Sequence, residues 1–202
     1  MNCGSFYFKF CIFSIAILLF IPCFFIPVIY SHYNSSDITS SNFINNQNPI
    51  TISSSGYAWP TPGYTTITSN FGYRISPTGQ KSNFHSGMDI GAPTGTILIS
   101  ICDAEVVFTG WSGSGGYAII LISENLKISY CHTSSNYFVS KGDYIKKGTE
   151  IGTVGPKNVY NIPNNPYKDL SGNPTNGDMT GPHLHLTIKK DGKAVDPLTL
   201  FK

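Results

Sequence analysis

From residue 57 onward the chain breaks into short apolar runs punctuated by Gly, Pro, Asn and Asp. "TILISI" (96–101), "AEVVFTG" (104–110), "YAIILIS" (117–123), "LKISYCH" (126–132) and "TEIGTV" (149–154) are rich in β-branched residues and end at turn-forming ones. Runs of that length and content predict strands. "HLHLTIKK" and "KAV" flank Asp191-Gly192, a dipeptide that supplies the positive φ angles of a tight hairpin. No amphipathic helical period extends beyond two turns, so the expected class is all-β with antiparallel sheets. In "TGPHLHLTI" the alternation places His183 and His185 on one face of a strand and Leu184 and Leu186 on the other.

The N-terminal part follows a different pattern. Residues 10–30, "FCIFSIAILLFIPCFFIPVIY", form a run of 21 without a charge, long enough to cross a bilayer as a helix although Pro22 and Pro27 weaken its second half. Lys9 precedes it, and no lysine or arginine follows until Arg74, which orients the N-terminus to the cytoplasm and exports the rest. No small-x-small cleavage site ends the run, so an uncleaved transmembrane anchor (residues 1–30) is preferred to a signal peptide. The expected location is the cell membrane, single-pass with an extracytoplasmic C-terminal domain, or outside the cell if the segment is cleaved. More than half of residues 31–56 are Ser, Thr or Asn. Such a stretch buries too little apolar surface to fold and reads as a flexible linker, spanning roughly 25–30 Å on average. Residues 57–202 are then the one globular domain.

Composition narrows the chemistry. With 12% charged residues and a formal net charge of +2, a nucleic-acid partner is not expected. Of the five cysteines only Cys102 and Cys131 fall in the globular part, and without a CxxC pair they read as two free buried thiols rather than a disulfide. No G-x-S-x-G, G-K-[ST] or H-E-x-x-H occurs. The Gly-rich "GWSGSGGY" reads as a hairpin turn, and Cys131 and His132, as strand neighbours, face opposite ways.

"FHSGMDIGAP" (84–93) adds His85 and Asp89, four residues apart in an extended segment where i and i+4 share a face. Alone, either this spacing or His183-x-His185 is a weak signal. Together they supply imidazole nitrogen and carboxylate oxygen in the proportion of a catalytic zinc site, three protein ligands with a fourth position open.

The order of "WPTPGYTTITSNFGYRISPTG", "FHSGMDIGAP", "SYCHTSSNYFVSKGDYIKKGTEIGTVG" and "TGPHLHLTI" resembles the lysostaphin/LytM-type zinc metallopeptidases, which cut peptide cross-bridges in bacterial cell walls. The resemblance covers nearly all of residues 57–202. It implies antiparallel sheets that form a substrate groove, one zinc ion bound by His85, Asp89 and His185, and two further histidines, His132 and His183, handling protons beside it. It also implies a zinc-dependent endopeptidase acting on peptidoglycan cross-links or stem peptides. The dedicated glycyl-glycine lysins usually carry a tyrosine shortly before HxxxD; its absence here favours direct stem-peptide cross-links. An activating protein partner is compatible with the resemblance and unspecified by it. The alternative is a non-catalytic wall-binding or regulatory domain of the same fold, against which stands the presence of all five site residues.

One stretch departs from the family pattern. Where a short turn usually precedes the HxH strand, this chain has residues 156–179, expected to form a wall of the groove. Within it Asp169, Ser171 and Asn173 alternate as in a calcium loop, but proline follows where glycine is wanted. Tyr160 and Tyr167 either contact substrate or pack the loop.

Overall fold

A computed structural model describes residues 50–75 and 82–202. The proposed anchor and most of the linker, to residue 49, lie outside the described residues; among those described, no helix is long and apolar enough to cross a membrane. Among the described residues twelve strands follow in order: β1 (Ile67–Ser69), β2 (Gly72–Ile75), β3 (Ser82–His85), β4 (Met88–Gly91), β5 (Ile97–Ile99), β6 (Ala104–Trp111), β7 (Tyr117–Ser123), β8 (Leu126–Cys131), β9 (Tyr144–Ile145), β10 (Glu150–Thr153), β11 (His183–Lys190) and β12 (Lys193–Val195). Eight form one sheet in the order β1-β4-β11-β8-β7-β6-β9, with β12 on β11; β10-β5 and β2-β3 are separate pairs. Every pairing is antiparallel, as the alternation predicts.

The large sheet has one dry face and one open face. Leu184, Leu186 and Ile188 of β11, Ile128 and Tyr130 of β8, Ile119 and Leu121 of β7, and Met88 and Ile90 of β4 are all essentially inaccessible to solvent. They belong to one core with Leu98, Ile101 and Ile151 from around the β5-β10 pair. Each such side chain contributes about 1.5–3 kcal/mol on burial. The buried Tyr130 hydroxyl is satisfied, accepting from the Ile101 amide at 3.0 Å and donating to the Ile99 carbonyl at 3.1 Å. The opposite face carries the intervening residues, Ala118 and Ile120, Ser129 and Cys131, and His183, His185, Thr187 and Lys189, and they floor a groove of about 460 Å³. Strand periodicity alone thus assigns the histidines of β11 to the groove.

Residues shortly before 57 contact those after it. Ile52 bridges Ala58, and the hydroxyls of Ser53 and Ser55 both donate to the Leu200 carbonyl. The β11–β12 turn has φ of 51° at Asp191 and 78° at Gly192, the left-handed pair its sequence predicts. "GWSGSGGY" forms a single 3₁₀ turn, Gly113–Gly115, between β6 and β7. Cys102 and Cys131 are both free thiols.

Candidate metal centre

Asp89 lies directly across from His185 in the β4–β11 register, and Cys131, immediately before His132, lies across from His185 on the other side. Three strands therefore deliver Asp89, His185 and His132 to one spot. His85 arrives differently. The extended segment expected from His85 to Asp89 is broken at Ser86-Gly87: His85 ends β3, paired with β2, while Asp89 belongs to β4 in the main sheet. The cause is tertiary. A Cβ at residue 87 would stand 2.4 Å from the Leu186 carbonyl oxygen and 3.0 Å from His185 Cε1, so the chain turns where only glycine permits that approach to β11.

The result is a tight donor set. His185 Nδ1 lies 2.7 Å from Asp89 Oδ1 and 2.9 Å from His85 Nε2, and His85 Nε2 lies 3.2 Å from Asp89 Oδ1. Tetrahedral zinc with bonds of 2.0–2.1 Å sets its ligand atoms about 3.3 Å apart, so these three nitrogen and oxygen atoms need only a small outward adjustment to accept the ion. Among the described residues they form the one group of three or more side chains able to hold a metal. Their distal atoms are braced. His85 Nδ1–H donates to the Asn70 carbonyl at 2.8 Å, leaving Nε2 as the ligating lone pair. His185 Nε2 meets the Thr187 hydroxyl at 3.0 Å. Arg74 reaches the second Asp89 oxygen at 3.7 Å, so that oxygen faces a cation while Oδ1 faces the imidazoles. Such outer partners orient ligands and tune their basicity.

His132 and His183 complete the cluster, their ring centroids 4.8 Å apart. His183 Nδ1–H donates to the Gly181 carbonyl at 2.8 Å, and its Nε2 lies 3.6 Å from Asp89 Oδ1. His132 Nδ1–H donates to the Asn176 carbonyl at 2.7 Å. A carbonyl only accepts, so both rings carry the proton on Nδ1 and keep Nε2 as the free base. His132 sits in the left-handed region, φ 60°, held there because its amide donates to Gly115 O and its carbonyl accepts from Gly155 N; such conformations concentrate at functional sites.

Burial governs the protonation states. It pushes His132 down to about 3, assisted by the neighbouring His183 and His185. It lowers His183 as well, against the pull of Asp89. For Asp89 burial alone would raise the carboxyl, but hydrogen bonds from His185 and His85 outweigh it and hold the group well below the usual carboxylate range. At neutral pH the site therefore presents an ionised Asp89 carboxylate, the form in which a carboxylate ligates, beside neutral His132 and His183. Burial pushes the Cys131 thiol up to about 12, which leaves it no nucleophilic role at neutral pH.

The structure brings together the five side chains singled out in the sequence and sets beside them Arg74, Thr187 and Asn176, which were not. Asn176 is fully buried, its Oδ1 accepting from the Tyr117 amide at 2.8 Å and its Nδ2 donating to the Thr133 carbonyl at 2.9 Å. The only signal of it was the position of residues 156–179 before the HxH strand. That segment supplies Asp178 and Met179 to the groove wall. The calcium-loop spacing has another use: Asp169 is held by Lys157 Nζ at 3.0 Å and by the amides of Ser171 and Asn173 at 3.0 and 2.9 Å.

The family described as Peptidase family M23 matches residues 83–197. The chain is 30% identical over 138 residues to "DD-carboxypeptidase/endopeptidase Mpg" of Neisseria meningitidis, covering 68% of this chain and 27% of that protein. It is 31% identical over 134 residues to "Peptidoglycan DD-endopeptidase ShyA" of Vibrio cholerae, covering 65% and 26% respectively. It thus spans about a quarter of the length of these relatives. Among solved structures it resembles a zinc-containing peptidase from Vibrio cholerae, with a TM-score of 0.55 and 26% identity over 71% of this chain and 38% of that one. The matched stretch is more than half of the chain and contains His85, Asp89, His132, His183 and His185; the chain belongs to peptidase family M23.

Proposed function

We propose that this chain is a zinc-dependent endopeptidase that hydrolyses peptide cross-links or stem peptides of bacterial peptidoglycan, with direct stem-peptide cross-links the preferred bond. The observation that carries the reading is the convergence of His85, Asp89 and His185 within hydrogen-bonding distance of one another on the floor of an open groove, with two neutral histidines beside them. The names of the relatives, a DD-carboxypeptidase/endopeptidase and a peptidoglycan DD-endopeptidase, agree with it.

When bound by those three ligands, zinc supplies Lewis acidity, polarising the scissile carbonyl and acidifying a water. The groove floor orients an extended peptide over the cluster. His132 and His183 offer Nε2 as proton acceptors, their Nδ1–H groups anchored on carbonyls so that neither ring can turn away. The pair takes a proton from the attacking water as its oxygen bonds to the carbonyl carbon, and returns one to the amine nitrogen as the C–N bond breaks. The residues N-terminal to the domain support a membrane tether: an uncharged run of 21 residues, then a polar stretch that lets the domain search the wall near the membrane.

The test compares the full chain with His183→Ala. One zinc per chain in both, new amine termini released from peptidoglycan by the wild type, and a rate lowered about 10²–10⁴-fold in the variant support the proposal. Absence of zinc refutes the ligand set, and a zinc-loaded chain that cuts neither directly linked nor bridged peptidoglycan refutes the activity.

A further inference from the structure

One end of the groove carries charge that the fold leaves unanswered. Lys189 lies on the groove floor, in the same alternation along β11 as His183, His185 and Thr187. Directly across from it on β8 stands Lys127, so the two side chains share the open face of the sheet. Both are exposed. We propose that this lysine pair is a carboxylate subsite: it binds an acidic residue of the stem peptide and so sets which bond of an extended substrate lies over the metal centre. The inference rests on the peptidoglycan reading above and deepens it.

Three observations select that ligand. First, the pair does not serve the stability of the sheet. Like charges directly opposite one another are destabilising, and among the described residues neither lysine has an ion pair, whereas Lys146 and Lys157 are paired with Asp103 and Asp169. The acids nearest in register are placed elsewhere. Asp191 accepts from Asn125 Nδ2 at 3.1 and 3.2 Å, and Glu105 is separated from Lys127 by Ile122 of the intervening strand. The other cation of the groove, Arg74, is turned to Asp89 at 3.7 Å. Lys127 and Lys189 are therefore left to meet an anion from outside.

Second, the groove has an electrostatic direction. Asp178, exposed on the groove wall, donates its amide to the Ser114 carbonyl at 2.8 Å. Ser114 belongs to the β6–β7 turn, which reaches Cys131: a Cβ at Gly115 would stand 3.0 Å from its Sγ. Cys131 lies across from His185, at the end of β8 away from Lys127. Asp178 and the lysine pair thus mark opposite ends of the groove, and a peptide carrying amines and carboxylates enters it in one direction. Third, the spacing is that of a substrate residue. Lys189 is four positions beyond His185 on β11, about 13 Å along an extended chain. A peptide lying over the strand, with the same rise, brings its acidic residue to the lysines from about three or four residues beyond the cleaved bond. The floor between them holds the paired Thr187 and Ser129 and carries no charge.

The experiment titrates the zinc-loaded full chain carrying His183→Ala, so that the peptide is not consumed. The two probes are a directly cross-linked stem-peptide dimer whose acidic residue has a free α-carboxylate and the same dimer with that carboxylate amidated. The free-carboxylate dimer should bind about fivefold or more tighter, with a preference that shrinks as salt is added. Adding Lys127→Gln and Lys189→Gln should bring the two dimers close to equal affinity, and the added changes should not lower the melting temperature, since they relieve a like-charge pair. The proposal is overturned if the parent chain binds the two dimers equally or binds neither, or if the glutamine variant keeps the preference. The titration needs no turnover, so failure of the peptidase reading would show separately, as absence of cleavage by the wild type.

Discussion

At the scale of single residues, the site depends on a few buried groups whose replacement has calculable consequences. His132 is held neutral by burial, its value pushed down to about 3, whereas in an unfolded chain it titrates near 6.5. Between those values the unfolded state binds a proton that the fold excludes. Stability of the metal-stripped chain should therefore be full above about pH 6.5 and fall as the pH is lowered towards 3. Asp89, held below its unfolded value, adds a further loss at the acid end of that range. Denaturant midpoints measured from pH 8 to 4 should show the decline; a flat profile would mean that His132 is not buried neutral. Asn176→Ala strands the Tyr117 amide and the Thr133 carbonyl in the interior, at a cost of about 1–3 kcal/mol for each group left unsatisfied, read as a lower midpoint with unchanged slope. Gly87→Ala drives a methyl against the Leu186 carbonyl. It should lower zinc retention as well as melting temperature, because β4 and β11 carry two of the three ligands; full retention of the metal would show that the approach is not needed.

Elements differ in how far local sequence determines them. The β11–β12 hairpin was legible because turn chemistry is local: Asp191 and Gly192 adopt the positive φ angles that their types favour. Gly192→Ala should accordingly cost about 1–2 kcal/mol, seen as a few degrees in melting temperature with peptide hydrolysis unchanged. The HxH pair was legible for the same reason, since alternation along β11 fixes which face each residue takes. The path from His85 to Asp89 was not. Its break answers the proximity of Leu186, roughly a hundred residues later, and no spacing rule contains that distance. Asn176 escaped notice on similar grounds. Its carbonyl meets His132 across 44 positions of sequence, and any residue type has a carbonyl, so composition gives no sign of it. Arg74 stands in a quoted motif, but its role beside Asp89 emerges only when β2 and β4 are brought together.

For the molecule as a whole, one sheet serves as both core and groove floor, so holding the metal and holding the fold are linked. Chelation should lower the melting temperature and added zinc should restore it; free zinc at a hundred times its dissociation constant corresponds to about 2.7 kcal/mol. A melting temperature indifferent to chelator would separate the ligand cluster from the stability of the sheet. The insertion shows a different relation to that sheet. The Gly155 amide donates to the His132 carbonyl at 2.9 Å, and the His132 ring donates to the Asn176 carbonyl at 2.7 Å. The chain thus departs and returns at the same histidine, and what lies between closes on a fixed pair of anchor points. Loop-closure entropy grows only slowly with length, so such a segment behaves as an interchangeable cassette. Exchanging residues 157–174 for a short glycine turn should leave hydrolysis of cross-linked peptides intact, read as an unchanged cleavage rate, because none of these residues lines the groove. Grafted between the same two anchors of a relative that has only the short turn, the cassette should fold without disturbing the sheet beneath it, a route by which one groove acquires new surroundings while its donor set stays fixed.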